Sequence, residues 1–306
     1  MPTGRYGSQT LQVATDKLPA GQAGTLTLGG DLIVNRMGFG AMRITGKGIW
    51  GPPEDRAGAI ATLRRAIELG VDFIDTADSY GPDVSEELIA EALHPYPAGL
   101  VIATKAGWTR HGPGVWQHDA SPKHIEHAIE GSLKRLRLER IDVYQLHVPD
   151  PAVSFDASME ALARLKEQGK VRHVGLSNVT LEHVKRAEKI VPIVCVQNRY
   201  SFSDREWDFV LDYCESKGMA FLPWGPMAQA RKANEAVEKI AAARGVSTLV
   251  VSLAWLLRRS PVTLPIPGTG NVKHLEENVS AAEFRLSDAE FAELAAVVPK
   301  PYWLRG

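Results

Sequence analysis

Short apolar runs alternate along the chain with longer segments whose apolar residues recur every three to four positions, the period of a helix face. The runs that read as strands are MGFG (37–40), VDFID (71–75), LVIATK (100–105), IDVYQLH (141–147), RHVGLS (172–177), IVCVQN (193–198), AFLPW (220–224) and VTLPIP (262–267). Helical spacing occupies 56–70, 85–93, 121–138, 158–169, 181–190, 204–218, 233–245 and 247–259. Ahead of all of these, residues 25–34 alternate apolar and polar positions around Gly29-Gly30, the signature of a β-hairpin. Residues 1–24 are rich in Gly, Pro and polar side chains without a period, so they read as a loose arm before one domain at 25–306.

Boundary residues agree with this segmentation. Ser121 before Pro122 is an N-cap followed by proline at the first helical position. Ser203 with Glu206, and Ser287 with Glu290, carry the spacing of capping boxes, the second opening a C-terminal helix. Gly70, Gly169 and Gly218 stand where helices should stop.

Strands that are apolar on both faces belong in a parallel sheet covered by helices. Eight of them in alternation with helices predict a (β/α)8 TIM barrel, with the N-terminal hairpin and extra C-terminal helices as additions. A doubly wound open sheet would carry G-x-G-x-x-G after its first strand. Here Gly38-Phe39-Gly40 is followed by Arg43 where the third glycine belongs, and Gly46-Lys47 lacks the rest of a phosphate loop.

Composition narrows the functional classes. The 306 residues hold 35 Lys+Arg against 36 Asp+Glu, a formal charge of −1, without the basic footprint of a nucleic-acid binder. Cys195 and Cys214 are too few for a disulfide framework or a four-cysteine zinc site, and their apolar surroundings predict burial. The longest mostly apolar stretch, 249–257, is about half a membrane span, and the first 25 residues show no secretory h-region. A cytoplasmic protein with no membrane partner is therefore expected, and the sequons at Asn178 and Asn278 count as coincidence. Nothing in the sequence speaks to oligomeric state.

In a barrel of this kind the chemistry sits at the C-terminal ends of the strands. Asp75 ends the second strand, Tyr80 follows five residues later, Lys105 ends the third strand and His147 the fourth. Ionisable groups ending three consecutive buried strands are costly for folding alone. Together they suit proton transfer to an oxygen. Lys105 is the cation expected to lower the Tyr80 pKa, Asp75 to hold that cation, and His147 to orient a carbonyl oxygen. No Ser–His–Asp or Cys–His arrangement is visible, so hydride from a bound cofactor is the nucleophile left to consider. Asp72, Asp75 and Asp78 raise a metal-dependent barrel lyase or isomerase as a rival, weakened because Asp72 and Asp75 fall on opposite faces of one strand. No metal site is expected there, nor at His124 and His127, which lack a third ligand.

These residues stand within longer motifs. Phe73-Ile-Asp-Thr-Ala-Asp-Ser-Tyr80-Gly81, Thr104-Lys105, Tyr144-Gln-Leu-His147, Gly175-Leu-Ser-Asn178, Val196-Gln197-Asn198 and Ile266-Pro-Gly-Thr269 with Glu277-Asn278 resemble the aldo-keto reductases, in the family's order from about Thr25 to Val298. The wording around Gly51-Pro-Pro and Asp78–Pro82 is most similar to a bacterial branch that includes pyridoxal reductase-like proteins.

The resemblance implies NADP(H) bound in extended form and reduction of a small-molecule aldehyde or ketone. It makes Asp75, Tyr80, Lys105 and His147 the catalytic tetrad, with Tyr80 the proton donor. It assigns Ser177, Asn178 and Gln197 to the nicotinamide carboxamide and Trp224 to stacking on the ring, with Gly225, Pro226 and Met227 over the pyrophosphate. Pro267, Gly268, Thr269, His274, Glu277 and Asn278 fall to the adenosine end, and Gly40, Ala41 and Met42 to the first-strand turn. The helix pattern opening at Asn271 independently offers free backbone N–H groups to a phosphate. His274 departs from the family, which often has arginine there to pair with the 2′-phosphate. Lys273 or Arg231-Lys232 are the cations that would compensate.

Trp50, Trp108 and Trp116 fall in loops after the first and third strands, where they are expected to line an apolar substrate pocket. Tyr302 and Trp303 lie in the tail, while Trp207 and Trp255 sit on helical patterns and are expected in the core. Pyridoxal, small aldehydes, aromatic ketones and sugars all remain candidate substrates. A slowly turning-over, nicotinamide-binding regulatory subunit, like the potassium-channel β subunits that resemble this family, is the alternative.

Overall fold

The computed structural model describes residues 17–225 and 235–296. Within the stretch read as a loose arm, Pro19–Ala23 form a 3₁₀ turn, with Ala20 fully buried and its N–H donated to Leu69 O at 2.9 Å. An antiparallel hairpin follows, β1 (Thr25–Leu28) paired with β2 (Leu32–Asn35). Next come β3 (Phe39–Gly40), β4 (Phe73–Asp75) and β5 (Val101–Ala106). A second antiparallel hairpin, β6 (Trp108–Gly112) with β7 (Val115–His118), occupies what the sequence suggested was a loop. The remaining strands are β8 (Ile141–Leu146), β9 (Val171–Ser177), β10 (Ile193–Gln197) and β11 (Ala220–Phe221). Seven of these form one sheet in the order β11-β10-β9-β8-β5-β4-β3, every neighbouring pair parallel.

The segment 262–267 makes no continuous ladder, because Pro265 and Pro267 have no N–H to donate. It nonetheless bonds both edges of the sheet. Phe221 donates to Val262 O and Leu264 to Phe221 O, each at 2.9 Å, while Gly38 donates to Pro265 O at 2.9 Å and Gly40 to Pro267 O at 3.4 Å.

Helices cover the outside: α1 (Arg56–Glu68), α2 (Val84–Leu93), α3 (Pro122–Leu136), α4 (Phe155–Glu167), α5 (Leu181–Ala187) and α6 (Asp208–Lys217). Then follow α7 (Glu235–Arg244), α8 (Thr248–Arg259), α9 (Val272–Ser280) and α10 (Asp288–Ala295). Ser121 caps α3 through the His124 N–H, and Ser287 with Glu290 forms the reciprocal box on α10. No helix opens at the box expected at Ser203–Glu206. The chain turns back on itself there, Ser201 and Asp204 exchanging backbone bonds of 3.0 Å, and α6 starts only at Asp208. Trp207 is consequently a half-buried cap residue, whereas Trp255 is fully buried. Among the described residues no single helix is long and apolar enough to cross a membrane.

Strand alternation sorts side chains into two cores. Ile74, Ile102, Tyr144, Leu146, Val174 and Leu176 face the helices, while Phe73, Val101, Ala103, Val143, Cys195, Leu264 and Ile266 pack inside the curled sheet. Leu28, Leu32 and Val34 of the hairpin join the inner cluster and close its N-terminal end, each contributing about 1.5–3 kcal/mol by burial. The hairpin seats closely: a Cβ on Gly29 would meet the His173 ring at 2.1 Å, and His173 Nε2 lies 2.6 Å from Asp31 Oδ1. One step further along the same inward face, past the apolar layer, stand Asp75, Lys105, Gln145 and Gln197.

Candidate active site

The inward-facing polar layer is built around one cation. Lys105 Nζ donates to Asp75 Oδ2 at 2.6 Å, to Thr76 O at 2.8 Å and to the Tyr80 hydroxyl at 3.4 Å. All three donor positions of the ammonium are thereby used, and its side chain is fully buried. Tyr80 reaches the group because the chain turns tightly after β4, Tyr80 donating its N–H to Ala77 O at 3.2 Å. Gly81 ends the turn at φ +105°, where a Cβ would strike the Val84 side chain at 2.5 Å. The His147 ring stands edge-on to Tyr80, centroids 5.7 Å apart, with its Nδ1 3.4 Å from the Ser79 hydroxyl.

Burial decides the protonation states. It opposes the Lys105 ammonium, but Asp75 and Tyr80 more than offset this, so Lys105 is held above the ordinary lysine value. Burial and then the Lys105 charge push His147 well below the usual histidine range, leaving a neutral imidazole with one N–H. For Tyr80, burial raises the phenol above its ordinary value despite the opposing pull of Lys105. Lys105 does pull the phenol down, as expected, but burial, aided by the Asp75 charge, outweighs it. The mouth thus presents an intact phenol O–H and a neutral imidazole, a proton donor and an orienting group for one substrate oxygen.

Beside this pair several of the candidate cofactor residues are bonded to one another. Asn178, in the left-handed region at φ +57°, donates to His147 O at 2.9 Å and to Ser177 Oγ at 3.1 Å, and accepts from Trp224 Nε1 at 2.9 Å. Trp224 remains 36% exposed, unusual for an indole already hydrogen-bonded at its edge. The Gln197 amide donates to Asp75 Oδ1 at 2.8 Å. Gly40 and Gly268 form a bare backbone crossing, where a Cβ on Gly268 would meet Gly40 O at 2.4 Å and one on Gly40 would meet Ile266 O at 2.6 Å. Ala41 is buried beside it, Met42 is half-buried, and exposed Arg43 flanks the crossing. Buried Pro267 and Thr269 lead into α9, whose cap Asn271 accepts from the His274 N–H at 3.2 Å. His274 is exposed and Glu277 half-buried, while Asn278 is 1% exposed with neither amide atom partnered. Gly225 adopts φ +62°, and Pro226, Met227, Arg231, Lys232, Tyr302 and Trp303 lie outside the described residues.

The three mouth tryptophans divide into two roles. Trp108 and Trp116 sit on β6 and β7 rather than in loops, because residues 108–118 alternate across a Gly112-Pro113-Gly114 turn. Trp108 stands edge-on to His147, centroids 6.4 Å apart. Trp50 and Trp116 instead hold Arg110, its guanidinium 5.8 and 3.7 Å from their ring centres. Arg110 donates to the carbonyls of Gly48, Ile49, Ser79 and Val115 at 2.9–3.1 Å, stapling three mouth loops together. His124 and His127 line a cavity of about 240 Å³ with Asp78, Arg110 and Arg135, and among the described residues no three His, Cys, Asp or Glu side chains converge as metal ligands.

Sequence reasoning gave no role to Arg110, Ser79, Asn198 or Gln145. Asn198 clamps the loop after β9 through both its amide atoms, to the Val179 N–H and O. Gln145 donates to Asp75 Oδ1 at 3.0 Å. Period two in IDVYQLH sets residue 145 on the inward face of Val143, which gives its side but not its role.

Comparison with known proteins bears on what this mouth is for. The sequence model of the aldo/keto reductase family matches residues 36–299. An uncharacterised oxidoreductase of Schizosaccharomyces pombe is 49% identical over 283 residues, 92% of either chain. Pyridoxine 4-dehydrogenase of Escherichia coli is 42% identical over 280 residues, 89% of this chain and 98% of that enzyme. Among solved structures, an aldo/keto reductase from Klebsiella pneumoniae in complex with NADP and acetate superposes with a TM-score of 0.76 at 26% identity, over 91% of this chain and 96% of that one.

Proposed function

The chain belongs to the aldo/keto reductase family, and on that premise we propose that it is a cytoplasmic, NADP(H)-dependent oxidoreductase that reduces an aldehyde or ketone to an alcohol, with Tyr80 as the proton donor. The observation that carries this reading is the Tyr80 hydroxyl held 3.4 Å from an ammonium that Asp75 and Thr76 fix in place. We read the segment 262–267, bonded to both sheet edges, as the eighth strand that completes the barrel around this layer.

The residues present fit a dinucleotide. Asn278, buried with its amide unpartnered, suits the hydrogen-bonding edge of an adenine, and the close Gly40–Gly268 crossing fixes the first-strand turn against the loop that leads into α9. The exposed Trp224 face, pinned at its edge by Asn178, suits a nicotinamide ring. When bound, NADPH supplies the hydride that reaches the carbonyl carbon. Tyr80 releases its proton to the carbonyl oxygen, Lys105 balances the phenolate that results, and His147 directs that oxygen with its single N–H. Trp108, edge-on to His147, supplies an apolar wall for the substrate.

Pyridoxal is the first substrate to try, because the Escherichia coli relative that matches over 89% of this chain is a pyridoxine 4-dehydrogenase. The test is NADPH consumption with pyridoxal and a panel of other carbonyls, by the native protein and by Tyr80→Phe. The variant should lose turnover about 10²-fold or more while its tryptophan fluorescence still quenches with NADPH. Undiminished turnover by Tyr80→Phe removes Tyr80 from the role. A native protein that binds NADPH tightly yet turns over no carbonyl supports the regulatory-subunit reading instead.

A further inference from the structure

The Asp75 carboxylate is shared between two functions. Its Oδ2 takes Lys105, while its Oδ1 accepts two amide donors, Gln145 Nε2 at 3.0 Å and Gln197 Nε2 at 2.8 Å. A carboxylate can only accept, so both glutamines must turn their nitrogen toward it. The Gln145 oxygen is then left facing Gln197, whose Nε2 lies 3.4 Å away. Gln197 Nε2 is thus claimed by two acceptors in the barrel interior, and its Oε1 is turned away from both.

Gln145 is fully buried, and its seat is built for it. A Cβ on Gly175, the neighbouring residue on β9, would lie 2.9 Å from Gln145 Cγ and 2.5 Å from Cys195 Sγ. A buried primary amide at the boundary of an apolar layer is costly unless its bonds are made. Here they are spent on Asp75, which holds Lys105, and on Gln197, which the family resemblance assigns to the nicotinamide carboxamide.

We infer that Gln145 is a positioning residue which, by bonding Asp75 and Gln197 together, locks the Gln197 amide with its oxygen turned to accept from the N–H of the cofactor's carboxamide. The inference rests on the dinucleotide reading above. Without Gln145, a single acceptor remains for Gln197 Nε2 and the amide is free to swing out of position. The consequence is a loss of discrimination at one atom of the cofactor, with little effect on the adenosine end.

The experiment compares NADP⁺ with its 3-acetylpyridine analogue, in which a methyl group replaces the carboxamide nitrogen. Dissociation constants come from tryptophan quenching, for the native protein and for Gln145→Met, which keeps the side chain's length without its hydrogen bonds. The native protein should prefer NADP⁺ by about 10-fold, the worth of one well-placed hydrogen bond. Gln145→Met should narrow the preference to about threefold or less by weakening NADP⁺, with the analogue's affinity within about twofold of native. Gln145→Ala reads the same ratio should the methionine variant not fold. An unchanged ratio in a folded variant overturns the inference while leaving the cofactor reading intact. A native protein that binds neither dinucleotide overturns the cofactor reading, and the inference with it.

Discussion

Lys105 Nζ lies 2.6 Å from Asp75 Oδ2, and the two side chains are 0% and 3% exposed. Such a pair does little for stability against an apolar replacement of both partners, but removing one leaves a buried charge uncompensated. Lys105→Met should therefore lower the unfolding free energy by about 3 kcal/mol, the lower end for a broken buried pair, because two glutamine amides still bond the Asp75 carboxylate. Urea denaturation measures this directly. A variant as stable as the native protein would mean that Asp75 becomes protonated at no cost.

His147 is a buried neutral imidazole, so its titration in the folded state is displaced well below the usual range. Unfolding exposes it to water, where it takes up a proton at about pH 6.5. The unfolded chain then binds more protons than the native one, and stability falls as pH drops through 6.5 toward the folded pKa. Above 6.5 the group contributes no slope. Unfolding midpoints taken from pH 7.5 down to 5 should show a decline that is shallower in His147→Gln. Equal slopes in the two proteins would show that His147 carries its proton in the native state. For the same reason carbonyl reduction should show no inflection near pH 6.5.

Arg110 is only 9% exposed, and its four carbonyl bonds reach the loop carrying Trp50, the turn before Tyr80 and the second hairpin. Replacing it with methionine keeps apolar contact with Trp116 and removes every bond. Bonds to a charged donor are worth about 1.5–3 kcal/mol each, but three of the four freed carbonyls are only part-buried and regain water, so the loss should be on the order of 2–3 kcal/mol. The loops it staples frame the mouth, so KM for the carbonyl should rise severalfold more than kcat falls. Steady-state kinetics separates the two, and a fall in kcat at constant KM would place the effect on the Tyr80 turn alone.

The segmentation into strands and helices was legible because apolar period and caps agree at nearly every boundary, as at Ser121 and Ser287. The exceptions have local causes. Pro265 and Pro267 hide a strand-like segment from its own ladder, and the turn at Ser201–Asp204 uses up residues that spell a capping box. Asp75, Lys105 and His147, which the structure brings together with Tyr80, were legible as ionisable residues at the ends of buried strands. Gln145 was not, because an uncharged amide inside an apolar run carries no signal of its own until its partner Asp75 is placed beside it. The direction of the Tyr80 shift was also beyond the sequence, since it depends on how far burial outweighs a cation that is itself paired.

His274 is exposed in the first turn of α9, its backbone N–H held by the Asn271 cap. A cation there faces the positive end of the helix dipole, which costs some tenths of a kcal/mol on its own. An anion bound at the same helix end reverses that balance, and a planar guanidinium offers it two parallel donors, a fork that an imidazole ring lacks. His274→Arg should therefore leave NADH affinity almost unchanged and tighten NADPH by about 10-fold, the value of one charge-assisted pair near the surface. Titration of tryptophan fluorescence with each dinucleotide gives the ratio. If both tighten together, the arginine is meeting the pyrophosphate, and if neither does, the 2′-phosphate lies beyond reach of α9.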